Sequence, residues 1–196
     1  MEETALDTLR DMLGRRKLET TTDRLTTDNK KMEKMTLYTI GSVLVCFSQK
    51  DKILSTDVTN VLAFADENGH TTGIVLVAYS PPSENVLRVA KSHSKKRFAL
   101  FHLWQLQSTA VYGGHEKSHR MTMPHRILNE EERTEIFDRF KISDPENQIP
   151  WIDSQDPQIK WIGAIPGDVI EVTRHSDAAG RSLYYRYCVE DVNVAQ

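Results

Sequence analysis

Pro157 to Val189 reads PQIKWIGAIPGDVIEVTRHSDAAGRSLYYRYCV, and the order of its residues decides the fold of the carboxyl-terminal part of the chain. Asp156, just ahead of it, is a helix cap, and Pro157 suits the first helical position, where a missing N–H costs nothing. Ile159, Trp161 and Ile162 supply an apolar side before Gly163, which fits a left-handed stop. Pro166-Gly167 suits a tight turn. Asp168 to Val172 then reads as a strand and Ser182 to Val189 as a second. In the latter Leu183, Tyr185, Tyr187 and Val189 alternate with Tyr184, Arg186 and Cys188, so one face is apolar and the other mixed. The polar loop His175 to Gly180 joins the two as an antiparallel pair. Every residue here has a structural role as cap, turn or core, and none forms a catalytic pattern.

Upstream, Asn129 is a good helix cap, with Glu132 placed three residues on to reach back to its N–H. The acidic run Glu130-Glu131-Glu132 favours the positive end of the helix dipole. Ile136, Phe137 and Phe140 give a buried face, Arg139 and Lys141 suit the carboxyl end, and Asp144-Pro145 stops the helix. Tyr112-Gly113-Gly114 breaks the apolar pattern, and the charged segment to Arg120 reads as a connection. Two domains are therefore expected, residues 1–115 and 119–196.

The first of these alternates helix and strand. Leu6, Leu9 and Leu13 form one stripe on an amphipathic helix over Thr4 to Leu18. Glu19 to Lys34, rich in Thr, Asp and Lys, reads as a solvated connection with at most a short turn of helix. Ser42 to Ser48 (SVLVCFS), opened by Gly41, is a near-continuous apolar run that fits a buried strand. Val58, Val61, Leu62 and Ala65 follow at helical spacing. Gly73 to Tyr79 (GIVLVAY) is the most strand-like run of all. Pro81 and Pro82 suit a helix start, Val86, Leu87 and Ala90 give a helical face, and Phe98 to Leu106 reads as a third strand. The order implies an α/β layer with a mostly parallel sheet.

Composition sets looser limits. The 196 residues carry 39% hydrophobic and 27% charged side chains, which is ordinary for a globular protein, and no apolar run reaches membrane-spanning length. The start, MEETALDTLR, lacks the basic, apolar pattern of a signal peptide. Cys46 and Cys188 each sit in an apolar run and are expected to be buried, reduced thiols of an intracellular protein. The net charge of −3 conceals an asymmetry: 16 Lys and Arg against 14 Asp and Glu up to Ser118, then 9 against 14 from His119 onward. The halves carry +2 and −5, as two units with different surroundings would.

The chemistry of enzymes on α/β sheets is missing from this one. Ser48-Gln49-Lys50-Asp51 stands where a dinucleotide-binding glycine turn would follow the first strand, and no phosphate-cradling Gly-x-x-x-x-Gly-Lys loop occurs. A metal-dependent nuclease would need acidic residues on the central strand, and GIVLVAY carries no charge. His115 and His119 lie four apart with His125 six further on, while His70, His93, His102 and His175 are scattered. With no cysteine pair, no zinc site is expected. Lys91-Ser92-His93-Ser94-Lys95-Lys96-Arg97 does stand out, with four fixed positive charges in seven residues. Such a run is either a solvated loop or a phosphate-contacting one, in which Lys91, Lys95, Lys96 and Arg97 release counterions from a polyanion. Without interleaved aromatics, stacking on single strands is not indicated.

The second half resembles the carboxyl-terminal domain of the fifth-largest subunit of eukaryotic RNA polymerases I, II and III, and the small H-type subunit of archaeal RNA polymerase. His119 and His125 keep the spacing of the family's His-x-Leu-Val-Pro-x-His opening, with the proline one place late at Pro124. Ile149-Pro150-Trp151-Ile152 and Asp156-Pro157 match its Leu-Pro-x-Ile and Asp-Pro. Ile162-Gly163-Ala164-Ile165-Pro166-Gly167-Asp168-Val169-Ile170 matches its Leu-Gly-x-x-x-Gly-(Asp/Glu)-Val-(Val/Ile). Arg174 to Arg181 matches its Arg-x-Ser-x-Thr-x-Gly-Arg loop, with Ala178 in place of threonine, and Tyr185-Arg186 closes the pattern. The first half resembles, more loosely, the eukaryotic subunit's jaw, through Gly41 to Val45 and Thr72 to Val75. The archaeal subunit lacks this jaw, so a eukaryotic form or a homologue from a large DNA virus is implied.

The resemblance implies an α/β amino-terminal jaw domain plus a small α+β carboxyl-terminal assembly domain. It implies a non-catalytic subunit without cofactor that docks on the largest polymerase subunit and contacts downstream duplex DNA. The expected docking residues are His125, Asp156, Pro157, Gly163, Gly167, Arg174, Ser176, Gly180, Arg181, Tyr185 and Arg186. Lys91 to Arg97 falls where the jaw's DNA-facing loop would lie. A domain of about seventy-five residues with neither disulfide nor metal is only marginally stable alone, which makes docking physically sensible. The expected location is the nucleus for a cellular protein, or the cytoplasmic viral factory or virion for a viral one. The alternative from another class is a free-standing interaction scaffold outside polymerase.

Overall fold

A computed structural model describes residues 1–114, 116–119, 121–176 and 180–193. The chain divides into two compact units, Met1–Ser108 and Thr109–Gln196, each built on its own mixed sheet.

The first unit opens with helix α1 (Glu2–Arg15), whose Ala5, Leu6, Leu9, Met12 and Leu13 are buried along one stripe. Five strands follow in sheet order: β1 (Thr22–Leu25), β2 (Met35–Ile40), β3 (Val43–Ser48), β4 (Ile74–Ala78) and β5 (Phe98–His102). β1, β2 and β3 pair antiparallel, whereas β3, β4 and β5 are parallel. The parallel strands are linked by helices α2 (Ser55–Glu67) and α3 (Glu84–Ser92). Val58, Val61, Leu62 and Ala65 of α2 and Val86 and Ala90 of α3 form one core with Leu44, Cys46, Ile74, Leu76, Phe98 and Leu100. Strand alternation leaves Val43, Val45, Phe47, Val75, Val77 and Phe101 buried on the opposite face. There α1 is tied to edge strand β1 by Arg10 Nε donating to Thr22 Oγ1 at 2.8 Å, and to the end of β4 by the Tyr79 hydroxyl donating to Glu2. Cover on both faces is why the strands read as continuous apolar runs rather than alternating ones.

Several expectations change. The sheet is mixed rather than mostly parallel, because β1, inside the stretch read as a solvated connection, and β2, just after it, form an antiparallel addition. β1 escapes notice because its four residues are TDRL, with Asp23 and Arg24 exposed on an edge strand. The 3-10 turn at Lys30–Met32, capped by Asn29, is the short helical piece, and it buries Met32. The third strand stops at His102, and Leu103–Leu106 curls into a 3-10 turn that exposes Trp104. Pro81 and Pro82 lie ahead of α3, whose N-cap is Ser83. Gly41 links β2 to β3 at φ +56°, and a Cβ there would stand 2.5 Å from the Glu19 carbonyl oxygen, so no larger residue fits without movement.

The second unit orders its strands β6 (His125–Ile127), β8 (Val169–Ser176), β9 (Gly180–Val189), β7 (Trp151–Asp153). The β8–β9 hairpin is antiparallel as expected, while β6 pairs antiparallel to β8 and β7 parallel to β9. Those two short strands were not expected, since three residues give too little alternation to read. Helix α4 (Glu130–Phe140) carries the expected reciprocal cap: Asn129 Oδ1 accepts from Glu132 N at 2.8 Å, and Glu132 Oε2 accepts from Asn129 N at 3.0 Å. Pro145 does not simply end the chain's helical run; it starts a one-turn helix α5 (Pro145–Gln148).

This sheet is covered on both sides. Ile159 and Ile162 of helix α6 (Pro157–Ile162) pack on Ile170, Val172, Cys188, Ile127 and Ile152. On the other side Ile136 and Phe137 of α4, with Leu128, Ile142 and Ile149, pack on Val169, Tyr185 and Tyr187. The face read as mixed therefore holds buried Cys188, and Leu183 on the face read as apolar is 56% exposed. Tyr112 and Gly113, which the sequence groups with the first domain, fold here. The Tyr112 ring is fully buried and stacks on Trp161, centroids 4.1 Å apart at 8°. Gln158 then clasps the segment, accepting from Gly113 N at 3.0 Å and donating to the Val111 carbonyl at 2.7 Å.

Candidate docking and nucleic-acid interfaces

In the second unit, the start and end of α6 follow the sequence pattern. Asp156 caps it by accepting from Gln158 N at 2.8 Å, Pro157 takes the first turn, and Gly163 closes it at φ +76°. Gly167, at φ +103°, donates its N–H to the Cys188 carbonyl at 2.9 Å and pins the turn before β8 to β9. These residues shape the unit through the backbone. His115, Arg120 and the loop residues Asp177, Ala178 and Ala179 lie outside the described residues, as do residues 194–196.

The remaining expected docking residues divide between the two faces of the sheet. Strand register sets His125, Val172 and Tyr184 in one row and Ile127, Ile170 and Arg186 in the next, with Arg174 opposite Ser182 beyond them. His125, Arg174 and Arg186 thus share the α6 face. There Arg186 Cζ stands 4.8 Å and Arg174 Cζ 5.8 Å from the centre of the Tyr184 ring, both within cation–π range. Arg186 also donates from Nη1 to the Trp151 carbonyl at 2.9 Å. Burial holds the His125 imidazole below its usual pKa, with Arg186 acting the same way and the Met123 carbonyl and Asp156 acting against it. Tyr185 lies on the opposite face, opposite Glu171 and 6.2 Å from the Phe140 ring. Ser176 pairs with Gly180 and His175 with Arg181 at the hairpin end, where Gly180 has φ +68°.

Tyr184 is the residue that sequence reasoning left out. The signal was available: pairing Ser176 with Gly180 across the hairpin loop puts Arg174 opposite Ser182, hence on the face of Tyr184 and Arg186. Lys160 was also overlooked. It is 6% exposed, and burial pushes its ammonium from 10.5 down to about 7, against the pull of Asp156 and Asp153.

In the first unit, Lys91 lies in the last turn of α3 and Lys95 and Lys96 in the 3-10 turn Ser94–Lys96. Arg97 follows in the left-handed region at φ +54°. Lys95, Lys96 and Arg97 are exposed, and Lys91 is half-buried. The segment is fastened rather than loose: Ser94 is buried and donates to the Lys91 carbonyl at 2.6 Å, and the Arg97 carbonyl accepts from Ile74 N at 3.2 Å. Lys96 is paired with Asp66 at 2.8 Å. Burial lowers the pKa of the Arg16 guanidinium to about 10, and the charge of Arg97 acts in the same direction.

Together these features define a protein of surfaces, an α/β unit bearing a basic segment and a small α+β unit bearing an Arg–Tyr–Arg face. Residues 116–188 match the family described as RNA polymerase Rpb5, C-terminal domain. The chain is 45% identical over 73 residues to "DNA-directed RNA polymerase subunit Rpo5" of Pyrococcus horikoshii, a match covering 37% of this chain and 87% of that protein. It is equally similar, at 45% over 73 residues and the same coverage, to the protein of that name from Thermococcus kodakarensis. The Sulfolobus acidocaldarius protein of that name is 43% identical over 72 residues, 37% of this chain and 83% of its own length. The chain belongs to this Rpb5/Rpo5 family, and the match falls within the second unit.

Proposed function

We propose that the chain is a non-catalytic subunit of a multisubunit DNA-directed RNA polymerase, assembled with other polymerase subunits through its second unit. The observation that carries this is the similarity to archaeal subunits named Rpo5, the match covering 87% of the length of the Pyrococcus horikoshii protein. A short unit that spends its matched residues on caps, turns and ladder pairing suits assembly better than chemistry. The largest polymerase subunit is the proposed docking partner. The first unit, which lies outside the match, is proposed as the jaw. Its Lys91, Lys95, Lys96 and Arg97 are proposed to contact phosphates of downstream duplex DNA independently of sequence. The work then takes place in the nucleus for a cellular source, or in the viral factory or virion for a viral one.

Recovery of tagged chain from its native cell tests the assembly reading: large polymerase subunits should come with it, and their absence leaves the free-standing scaffold. Replacing Lys95, Lys96 and Arg97 by Ala should flatten the salt dependence of downstream DNA retention by the polymerase. Each lost phosphate contact lowers the logarithmic slope by about 0.9. An unchanged slope refutes the DNA role.

A further inference from the structure

The described arginines of the second unit differ in what holds them: Arg139 stands 5.4 Å from the centre of the Phe140 ring on the α4 side, and two others are paired with carboxylates. Arg126 is held by Glu132 and Glu171 at 2.6 and 3.0 Å, and Arg133 by Glu130 at 2.5 Å. Arg174 and Arg186, in contrast, have no carboxylate within 4 Å among the described residues; both lean on the Tyr184 ring instead. Arg186 spends one donor on the Trp151 carbonyl at 2.9 Å, but a guanidinium laid against a ring keeps its remaining N–H donors for other partners, and these suit the two oxygens of a carboxylate. Arg174 is exposed and Tyr184 and Arg186 are half-buried, so the group is open yet held in place. Helix α6 covers the end of this face around Ile170 and Cys188.

We propose that the Arg174–Tyr184–Arg186 face is a docking surface for a carboxylate-bearing segment of a neighbouring polymerase subunit, an inference that rests on the assembly reading above. Charge complementarity selects that occupant. From His119 onward the chain carries 14 Asp and Glu against 9 Lys and Arg, a net −5. A surface with that balance repels an extended polyanion, because binding of nucleic acid draws on a broad positive field. Two arginines flanking one ring instead fit discrete carboxylates, with Tyr184 as the apolar floor between them; Tyr and Arg are the residues that anchor protein interfaces.

The test uses the full tagged chain expressed in its native cell, and reads the polymerase subunits recovered at rising salt. The double variant R174E/R186E should lower recovery at least about tenfold, as expected when an interfacial charge pair is turned repulsive. R133E, on α4 against the other face, should match the unaltered chain. Thermal melting of each variant separates lost docking from lost folding. R174K/R186K keeps the charge and supplies an amine that carbodiimide joins directly to a touching carboxylate. Cross-linked peptides joining position 174 or 186 to Asp or Glu of another polymerase subunit support the proposal independently of the charge reversal.

If the unaltered chain recovers polymerase and R174E/R186E recovers it equally well, the face proposal is overturned and the assembly reading stands. The absence of any such cross-link in recovered polymerase also overturns it. If subunit recovery is unchanged while R174E/R186E weakens retention of DNA, nucleic-acid phosphate is the occupant and the proposal is wrong. Failure of the unaltered chain to recover any polymerase subunit overturns both.

Discussion

Tyr112→Ala tests whether residues 109–114 are part of the second unit's core. The ring is fully buried and lies 4.1 Å from the Trp161 ring, nearly parallel to it. Removing a buried aromatic side chain costs about 3–5 kcal/mol, including the cavity it leaves. A stacked aromatic pair adds about 0.5–1.5 kcal/mol beyond its buried area. The substitution should therefore cost about 4 kcal/mol, a large share of the roughly 4–13 kcal/mol that a unit of this size has. Two further bonds fix the same segment: the Ser118 hydroxyl donates to the Tyr112 carbonyl at 2.6 Å, and His119 N donates to the Ala110 carbonyl at 2.8 Å. Neither bond uses the lost side chain, so they cannot replace it. Urea unfolding of the full chain reads the effect through Trp151 and Trp161 in a Trp104→Phe background, because Trp104 belongs to the first unit and is 71% exposed. With a urea slope of about 1.5 kcal/mol/M, the midpoint should fall by about 2–3 M. Tyr112→Phe keeps the stack and should fall much less. A loss under about 1 kcal/mol in the Ala variant would show that the segment merely lies on the unit.

Other substitutions probe the remaining scaffold. Asp57, 2% exposed, accepts from Leu54 N at 2.9 Å and pairs with the Lys50 ammonium at the start of α2. Asp57→Ala removes a cap and strands a half-buried cation, and should cost about 3 kcal/mol in unfolding followed by Trp104 fluorescence; a loss below about 1 kcal/mol rejects the pair's importance. Asn129→Ala opens the α4 capping box and should cost about 1 kcal/mol in thermal melting, whereas an unchanged midpoint would mean the helix is held by packing alone. Lys160 gives a pH dependence of definite sign. Its folded pKa of about 7 lies below its ordinary 10.5, so between these values Lys160 contributes stability that rises with pH. Above about pH 9 the thiols of Cys46 and Cys188, pushed up by burial, act the other way. Between about pH 7 and 9 the slope should exceed that of Lys160→Met by on the order of 1 kcal/mol per pH unit, and Lys160→Met should also be the more stable form at pH 7. Equal slopes in the two proteins would show that Lys160 stays charged throughout.

The sequence was most legible where one residue type has one physical use. Asn129 with Glu132, Asp156 with Pro157, and Gly163 each mark a helix end through local hydrogen bonding or backbone freedom, and the structure has each of them in that role. The β8–β9 hairpin followed from alternation over Ser182 to Val189 and the polar loop before it. β1, β6 and β7 were not legible, because three or four residues carry no usable period and their place depends on a neighbour distant in sequence. Phe98 to Leu106 failed for the opposite reason. Its apolar run continues past the strand, since Leu103 and Leu106 are buried from a 3-10 turn and hydrophobicity alone does not separate the two conformations.

Face assignment was the harder problem. Alternation divides β9 into two sets of residues but does not say which set meets a helix. With α6 on one side and α4 on the other, both sets are half-covered, and exposure is decided by how far each helix reaches along the hairpin. Leu183 and Arg174 lie near the hairpin end, where both are exposed, whereas Cys188 and Val169 lie at the covered end and are buried. The polar or apolar character of a residue therefore follows its distance from the loop as much as its parity. Candidate docking residues chosen by motif alone mixed backbone-shaping glycines, a Tyr185 on the α4 face and two arginines on the α6 face. The register separates them, because Arg174, Tyr184 and Arg186 come together only once Ser176 is paired with Gly180. Tyr184 belongs to that group although no motif position named it, since it is the ring between the two cations that gives the face its shape.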